Sequence, residues 1–300
     1  MTPSPEYDKF VKSVSTFSQD ITNHSIASWN GIDFNLTEQQ IIKKYLLERG
    51  VGVDYLNRNL APILSHSSYE VKFASVFIHQ KPRITRHISS VNLCIGDTPS
   101  CELGDLLVVF CLLDKNKTPL FRSAVISQAK KDRILTSQSQ KCLYDSDITF
   151  SMPARVYRNS RINTPERNLP DYSEGRTKAL HYLILDQLPN LRQVPWNSNL
   201  EYSWAHFLNR VLVGDLGFPF ESSPTPPNPD WNCILYDLLN IGQGVIPSRI
   251  QRGNALSDIV NLFNDFNEYD KYSIEIEDEQ GMPTLFIIVR DTEYEKKNNR

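Results

Sequence analysis

Apolar residues recur at helical spacing near the start of the chain and at strand spacing further on. From Tyr7 to Ile21 the positions Phe10, Val11, Val14 and Phe17 follow a helical period. A second helix is signalled by Thr37 as N-cap, with Gln40 three residues on. Ile41, Ile42, Tyr45, Leu46 and Leu47 follow, and Gly50 stands where the helix should stop. Strand signals then take over. Glu70 to His79 is rich in Val, Phe and Ile, and Lys81-Pro82 closes it. Leu103 to Leu113 is nearly continuous apolar, as expected of a central strand buried on both faces. Asp114 to Pro119 is a polar connection and Leu120 to Lys130 the next strand, so the pair reads as an antiparallel hairpin.

Beyond the hairpin, Ser137 to Tyr144 reads as the start of a helix, and residues 151–177 are polar and loop-like. Lys178 to Leu188 is an apolar run compatible with either strand or helix. Phe218 to Asp230 contains Pro219, Pro224, Pro226, Pro227 and Pro229 and is the best linker candidate. Helical patterns follow near Trp231 to Leu239 and Ala255 to Phe266. A terminal hairpin is expected from Tyr272–Glu277 and Thr284–Val289 around Glu279-Gln280-Gly281, and then a charged, frayed tail from Glu293. The pattern divides the chain into an N-terminal helical region (1–65), a core (66–215) and a C-terminal helical and hairpin region (216–300).

Composition narrows the function classes more than it selects one. Three hundred residues suffice for a sizeable core. The net charge of −3 argues mildly against indiscriminate nucleic-acid binding without excluding a local basic groove. The longest apolar stretch, Leu106 to Leu113, is far short of the ~20 residues a membrane span needs, and the N-terminus has no apolar secretory segment. Five cysteines without a Cys-x-x-Cys pair suggest reduced, mostly buried thiols in a cytoplasmic protein and no zinc site. Six histidines show no metal spacing. No phosphate loop, dinucleotide turn or Gly-x-Ser-x-Gly occurs, so ATP- or NAD-driven chemistry is not expected.

The candidate chemistry lies on the hairpin. Glu102-Leu-Gly-Asp105 precedes one strand and Gln128-Ala-Lys130 ends the next. Gln128 and Lys130 are two apart and share a strand face. A divalent metal beside a phosphodiester needs only one or two carboxylates, because Mg²⁺ keeps several waters. Such a metal polarises the phosphoryl oxygen and lowers the pKa of a bound water, while a nearby ammonium offsets charge developing on the phosphorane-like transition state. The bland reading is that Gln128 and Lys130 reach solvent at a strand end, with Asp105 in an ordinary surface ion pair.

The order and spacing of these motifs resemble the PD-(D/E)XK nuclease superfamily, over roughly residues 70–145. Asp105 matches its metal-binding Asp, Gln128 its Asp/Glu and Lys130 its lysine. Gln140-Lys-Cys-Leu-Tyr144 resembles the Gln-x-x-x-Tyr signature of the lambda-exonuclease-like branch, which lies near the DNA. The resemblance implies a restriction-endonuclease-like α/β (α+β) fold, a mixed central sheet flanked by helices, with helical N-terminal and α+β C-terminal additions. It implies a Mg²⁺- or Mn²⁺-dependent deoxyribonuclease, with a role in bacterial defence or restriction. The metal would be held by Asp105, Glu102 and the carbonyl of Ala129, with Gln128 completing the shell and Lys130 positioning the attacking water.

Gln128 departs from that pattern, since an amide oxygen brings no negative charge. Glu102 is the nearest replacement if Gly104 bends the chain, with Glu38 and Glu48 the alternatives. Two basic stretches could contact phosphates: Lys81, Arg83, Arg86 and His87, and then Arg155, Arg158, Arg161, Arg167, Arg176 and Lys178 interleaved with Tyr157 and Tyr172, for which a solvated loop with its charges facing water is the alternative. The expected partner is DNA, with RNA not excluded and a homo-oligomer or defence-system protein as further partners. The competing reading is a catalytically inert module of the same fold that binds nucleic acid or serves as a scaffold.

Overall fold

The computed structural model of the chain describes residues 5–65, 68–87, 98–131, 133, 135, 137–153, 166–221, 229–239 and 273–292. Five helices lead: α1 (Pro5–Ser15), α2 (Ser18–Ala27), α3 (Glu38–Leu47), α4 (Gly52–Asn59) and α5 (Ala61–Leu64). The single helix expected over Tyr7 to Ile21 is broken after Ser15. The hydroxyls of Ser15 and Thr16 turn back onto the carbonyls of Val11 and Ser13 (both 2.7 Å), which competes with continuing the helix. α3 starts as its sequence predicts. Thr37 Oγ1 accepts from the Gln40 N–H (3.3 Å) and Gln40 Oε1 from the Thr37 N–H (3.0 Å). The helix ends before Gly50, whose φ is +84°.

Seven longer or core strands carry the sheet: β1 (Tyr69–Gln80), β4 (Leu106–Leu113), β5 (Pro119–Lys130), β8 (Leu180–Ile184), β9 (Asn190–Gln193), β12 (Ser273–Gln280) and β13 (Thr284–Asp291). With β10 (Glu201–Ser203) at one edge, the order is β10-β9-β8-β5-β4-β13-β1-β12. The expected hairpin is present. β4 and β5 pair antiparallel from Leu106 opposite Ser127 to Leu113 opposite Pro119, and the Thr118 N–H bonds Asp114 Oδ1 (2.7 Å) in the turn. The run after Lys178 resolves as α7 (Arg176–Ala179) followed by β8, which lies parallel to β5.

A second, four-stranded sheet joins β2 (Arg83–Arg86), β3 (Ser100–Glu102), β6 (Thr149–Ser151) and β7 (Glu166–Asn168) in the order β3-β2-β6-β7. The remaining helices are α6 (Gln138–Asp145), α8 (Trp204–Leu212) and α9 (Pro229–Leu239). Strand alternation builds two cores. Leu107, Val109, Cys111 and Leu113 of β4 face α6, α9 and the small sheet, and meet Leu143, Tyr144, Phe150 and Leu235. Leu106, Val108, Phe110 and Leu112 face the opposite layer and meet Phe10, Leu56 and Phe207. The result is a mixed α/β architecture, a central sheet covered on both faces by helices.

The terminal hairpin is a correction. Both strands exist, but β12 and β13 flank β1 instead of pairing with each other. β12 runs parallel to β1, while β13 runs antiparallel to β1 and parallel to β4. Leu285 to Val289 is apolar on both faces and is buried throughout, which suits a central position. Ser273-Ile-Glu-Ile-Glu alternates with charge and suits an edge. The Pro-rich stretch starts inside the core. β11 (Phe218–Pro219) pairs with Ser123–Ala124 of β5, and Trp231 Nε1 donates to the Phe218 carbonyl at 3.2 Å. Residues 222–228, the helix expected over Ala255 to Phe266 and the charged tail lie outside the described residues.

Reduced thiols are found at Cys101, Cys111 and Cys233, whereas Cys142 is disulfide-bonded, which corrects the expectation of reduced cysteines. Among the described residues no helix is long and apolar enough to cross a membrane.

Two stability measurements follow from this packing. Ile287 is fully buried in β13, so Ile287→Ala should cost about 2–5 kcal/mol in urea unfolding. His181 on β8 is also fully buried and contacts the Tyr202 hydroxyl through Nε2, while its Nδ1 has no hydrogen-bond partner among the described residues. Burial, then the Arg210 charge, lowers its pKa to about 3. The unfolded chain therefore binds a proton there while the native state does not. Stability should fall by about 1.4 kcal/mol per pH unit as pH drops from the ordinary histidine range toward 3. His181→Gln should flatten that part of the profile in pH-dependent unfolding.

Candidate active site

Four chain segments meet at the end of the β4–β5 hairpin: the β1–β2 turn, the β3–β4 bend, the end of β5, and α6. The bend is fixed from three sides. The Asp105 N–H donates to the Ser127 carbonyl (2.9 Å), and the Leu103 N–H to the Pro82 carbonyl (3.1 Å). The Tyr144 hydroxyl donates to the Leu103 carbonyl (3.0 Å). Gly104 permits the approach, because a Cβ there would lie 2.5 Å from Ile126 Cγ2 and 3.0 Å from Met282 Cε. Glycine is needed for closeness of packing more than for an unusual backbone angle.

The bend delivers Asp105 into the interior. Its Oδ2 accepts the Ala129 N–H at 2.7 Å, just where β4 has not yet begun to pair. Its Oδ1 accepts a hydrogen bond from Lys81 Nζ. The same ammonium lies 3.4 Å from Glu102 Oε2. Glu102 and Asp105 thus converge after all, on one cation. Burial alone would lower the Lys81 pKa, but Asp105 and then Glu102 outweigh it, and the net shift is upward.

Beside this triad stand the two β5 residues. Gln128 is fully buried; its Nε2 donates to the Glu102 carbonyl (2.9 Å), and its Oε1 has no hydrogen-bond partner among the described residues. Lys130, 7 % exposed, donates to Gln140 Oε1 at 2.8 Å, and no carboxylate of the described residues lies within ion-pair distance of it. Asp105 is 2 % exposed. None of the three is a solvated strand end, so the reading of an ordinary surface ion pair does not hold.

Several expected residues take positions other than those expected. Asp105 pairs with Lys81. Ala129 meets the carboxylate through its N–H. Gln140 is held by Lys130 and capped by Ser137, whose Oγ accepts the Gln140 N–H (3.3 Å). Tyr144 is fully buried and so presents no surface to a ligand. Burial, then the nearby Asp105 charge, raises its pKa well above the ordinary tyrosine value. Of the alternative acids, Glu48 pairs with exposed Lys44 (2.6 Å), and Glu38 Oε1 accepts the Lys131 N–H (2.9 Å). Neither joins the triad.

The second basic stretch is only partly visible. Arg155, Arg158 and Arg161 lie outside the described residues. Arg167 and Arg176 are neither solvated nor turned to a groove. Arg167 Nη2 lies 3.0 Å from Asp237 Oδ2 in a fully buried pair, and Arg176 Nη2 lies 2.6 Å from Asp147 Oδ1. Arg86 of the first stretch is also buried and donates to the Thr98 carbonyl (2.6 Å). Sequence reasoning counted Lys81 only as a phosphate-binding cation. Its local signal was a lysine before the proline that closes β1, and nothing there indicated the carboxylates it would meet.

Among the described residues no group of three or more His, Cys, Asp or Glu stands together. The oxygen donors of the site are two carboxylates and the buried amide oxygen of Gln128, which has no hydrogen-bond partner among the described residues. That set suits a hard cation that retains waters, and does not suit zinc. Comparison of the chain with protein-family models, curated proteins and solved structures finds no match.

The bend itself is testable. Gly104→Ala forces its methyl against Ile126 and should destabilise the fold by about 1–3 kcal/mol, read as a lowered unfolding midpoint. An unchanged midpoint would show that the packing around residue 104 is looser than described.

Proposed function

We propose that this chain is a metal-dependent nuclease that hydrolyses phosphodiester bonds in DNA, with a restriction-endonuclease-like core. The observation that carries the reading is the convergence of Glu102 and Asp105 on one cation position, beside a buried Gln128 oxygen and the Lys130 ammonium. The order of elements β4, β5, α6 and β8, with β8 parallel to β5, supports the same core. β13, inserted between β1 and β4, is an addition to it.

Asp105 and Glu102 would hold Mg²⁺ or Mn²⁺, with Gln128 Oε1 as a neutral third donor. When bound, such an ion supplies Lewis-acid polarisation and an acidified water. The chain's own residues do the rest. Gln140 Oε1 accepts from the Lys130 ammonium and fixes its position, and that ammonium would orient the attacking water and offset charge on the phosphorane. Tyr144 and Gly104 keep the Asp105 bend in place. A cytoplasmic setting and a role in bacterial defence belong to the same proposal, with a homo-oligomer or a defence-system protein as partner.

One observation favours a second reading. Lys81 already neutralises both acids, as expected of an inert module of the same fold that binds nucleic acid or acts as a scaffold. Plasmid and linear DNA, with RNA in parallel, separate the two. The nuclease should cut with Mg²⁺ or Mn²⁺, and Asp105→Asn or Lys130→Ala should each slow cutting by about 100-fold or more. Cleavage that survives both substitutions removes the site assignment. Binding without cleavage selects the inert module, and RNA-only cleavage replaces the substrate.

A further inference from the structure

We infer that Lys81 is a resident cation of the candidate metal centre, and that its ammonium competes with a divalent ion for the carboxylates of Glu102 and Asp105. The inference rests on the metal-centre reading above and concerns what sets the affinity of that centre.

Lys81 Nζ hydrogen-bonds Asp105 Oδ1 and lies 3.4 Å from Glu102 Oε2, so it stands where a metal shared by the two acids would stand. Among the described residues no other lysine or arginine is within ion-pair distance of either acid. The arrangement is built into the backbone. The Pro82 carbonyl accepts the Leu103 N–H (3.1 Å), and the Gln80 carbonyl accepts the Gly281 N–H (2.8 Å). The β1–β2 turn is therefore tied both to the bend that carries the acids and to the β12–β13 connection. Lys81 is nine-tenths shielded, with 11 % of its side chain exposed, and Asp105 is more deeply buried still.

Two cations cannot share this space. An ammonium and a divalent ion a few ångströms apart repel strongly where little water screens them. A lysine head is a compact charge on four rotatable carbons, so it can withdraw while its backbone stays fixed. Binding of the ion must then overcome loss of the ion pairs, and the apparent affinity falls by that amount. The centre should hold a metal weakly until another anion accepts the displaced ammonium. A phosphate of a nucleic-acid backbone is such an anion, so metal and substrate would be admitted together.

The test is calorimetric titration of the full chain with Mn²⁺. Lys81→Met removes the charge at similar length and should bind Mn²⁺ at least about tenfold more tightly than wild type, since close ion pairs are worth an order of magnitude or more in affinity. Adding Asp105→Asn to that variant should abolish the gain. Lys81→Arg keeps a cation and should bind no more tightly than wild type. Equal affinity in wild type and Lys81→Met overturns the competition and leaves the nuclease reading standing. No Mn²⁺ binding by either overturns both. If Lys81→Met does not fold, the wild type decides the matter through the ¹⁵N resonance of Lys81 Nζ. That resonance should move on Mg²⁺ addition, and an unmoved signal at saturating Mg²⁺ overturns the competition.

Discussion

The Asp105 carboxylate lies almost wholly out of water, and everything around it is arranged to make that tolerable. An ionised acid in such a place costs several kcal/mol unless it is both paired and hydrogen-bonded. One oxygen takes the Ala129 N–H at the open end of the strand ladder, and the other takes the ammonium of Lys81. Those two bonds join the end of β5, the bend before β4 and the turn after β1. Glu102 is brought in by the same ammonium, and Gln128 by the Glu102 carbonyl. Gly104 and Tyr144 serve the same end, one by leaving room and the other by holding the Leu103 carbonyl.

The arrangement separates two lysines that look equivalent in sequence. Lys81 is committed to carboxylates, and its pKa is raised accordingly. Lys130 reaches only the neutral amide of Gln140 among the described residues. A buried ammonium without a carboxylate can respond to an incoming anion, whereas Lys81 must first surrender its partners. Position and commitment, more than charge, distinguish the two lysines.

Much of the core was legible because its contacts are local. The β4–β5 hairpin joins strands adjacent in sequence, with an unbroken apolar run on one side and a polar turn between. The Thr37/Gln40 capping box and the Ser137 cap are four-residue signals. Pairings distant in sequence were not legible. Nothing in Leu285–Val289 says that it enters between β1 and β4, and a strand turn pointed instead to a hairpin. Lys81 meets Asp105 only because β1 and the hairpin share a sheet. The same limit hid the burial of Arg167 and Arg176, whose acids, Asp237 and Asp147, come from other elements. Helix α8 has Trp204, Phe207, Leu208 and Val211 at helical spacing behind Ser203 as its cap, a local signal that was there to be read.

The central claim is that Glu102 and Asp105 form one cation position in which Lys81 stands where a metal would bind. Crystals soaked in Mn²⁺ and measured at the manganese edge test it directly. The account predicts an anomalous peak ligated by Asp105 and Glu102, with the Lys81 ammonium withdrawn from both. A peak elsewhere, or Lys81 still bridging the two acids at saturating Mn²⁺, would contradict it.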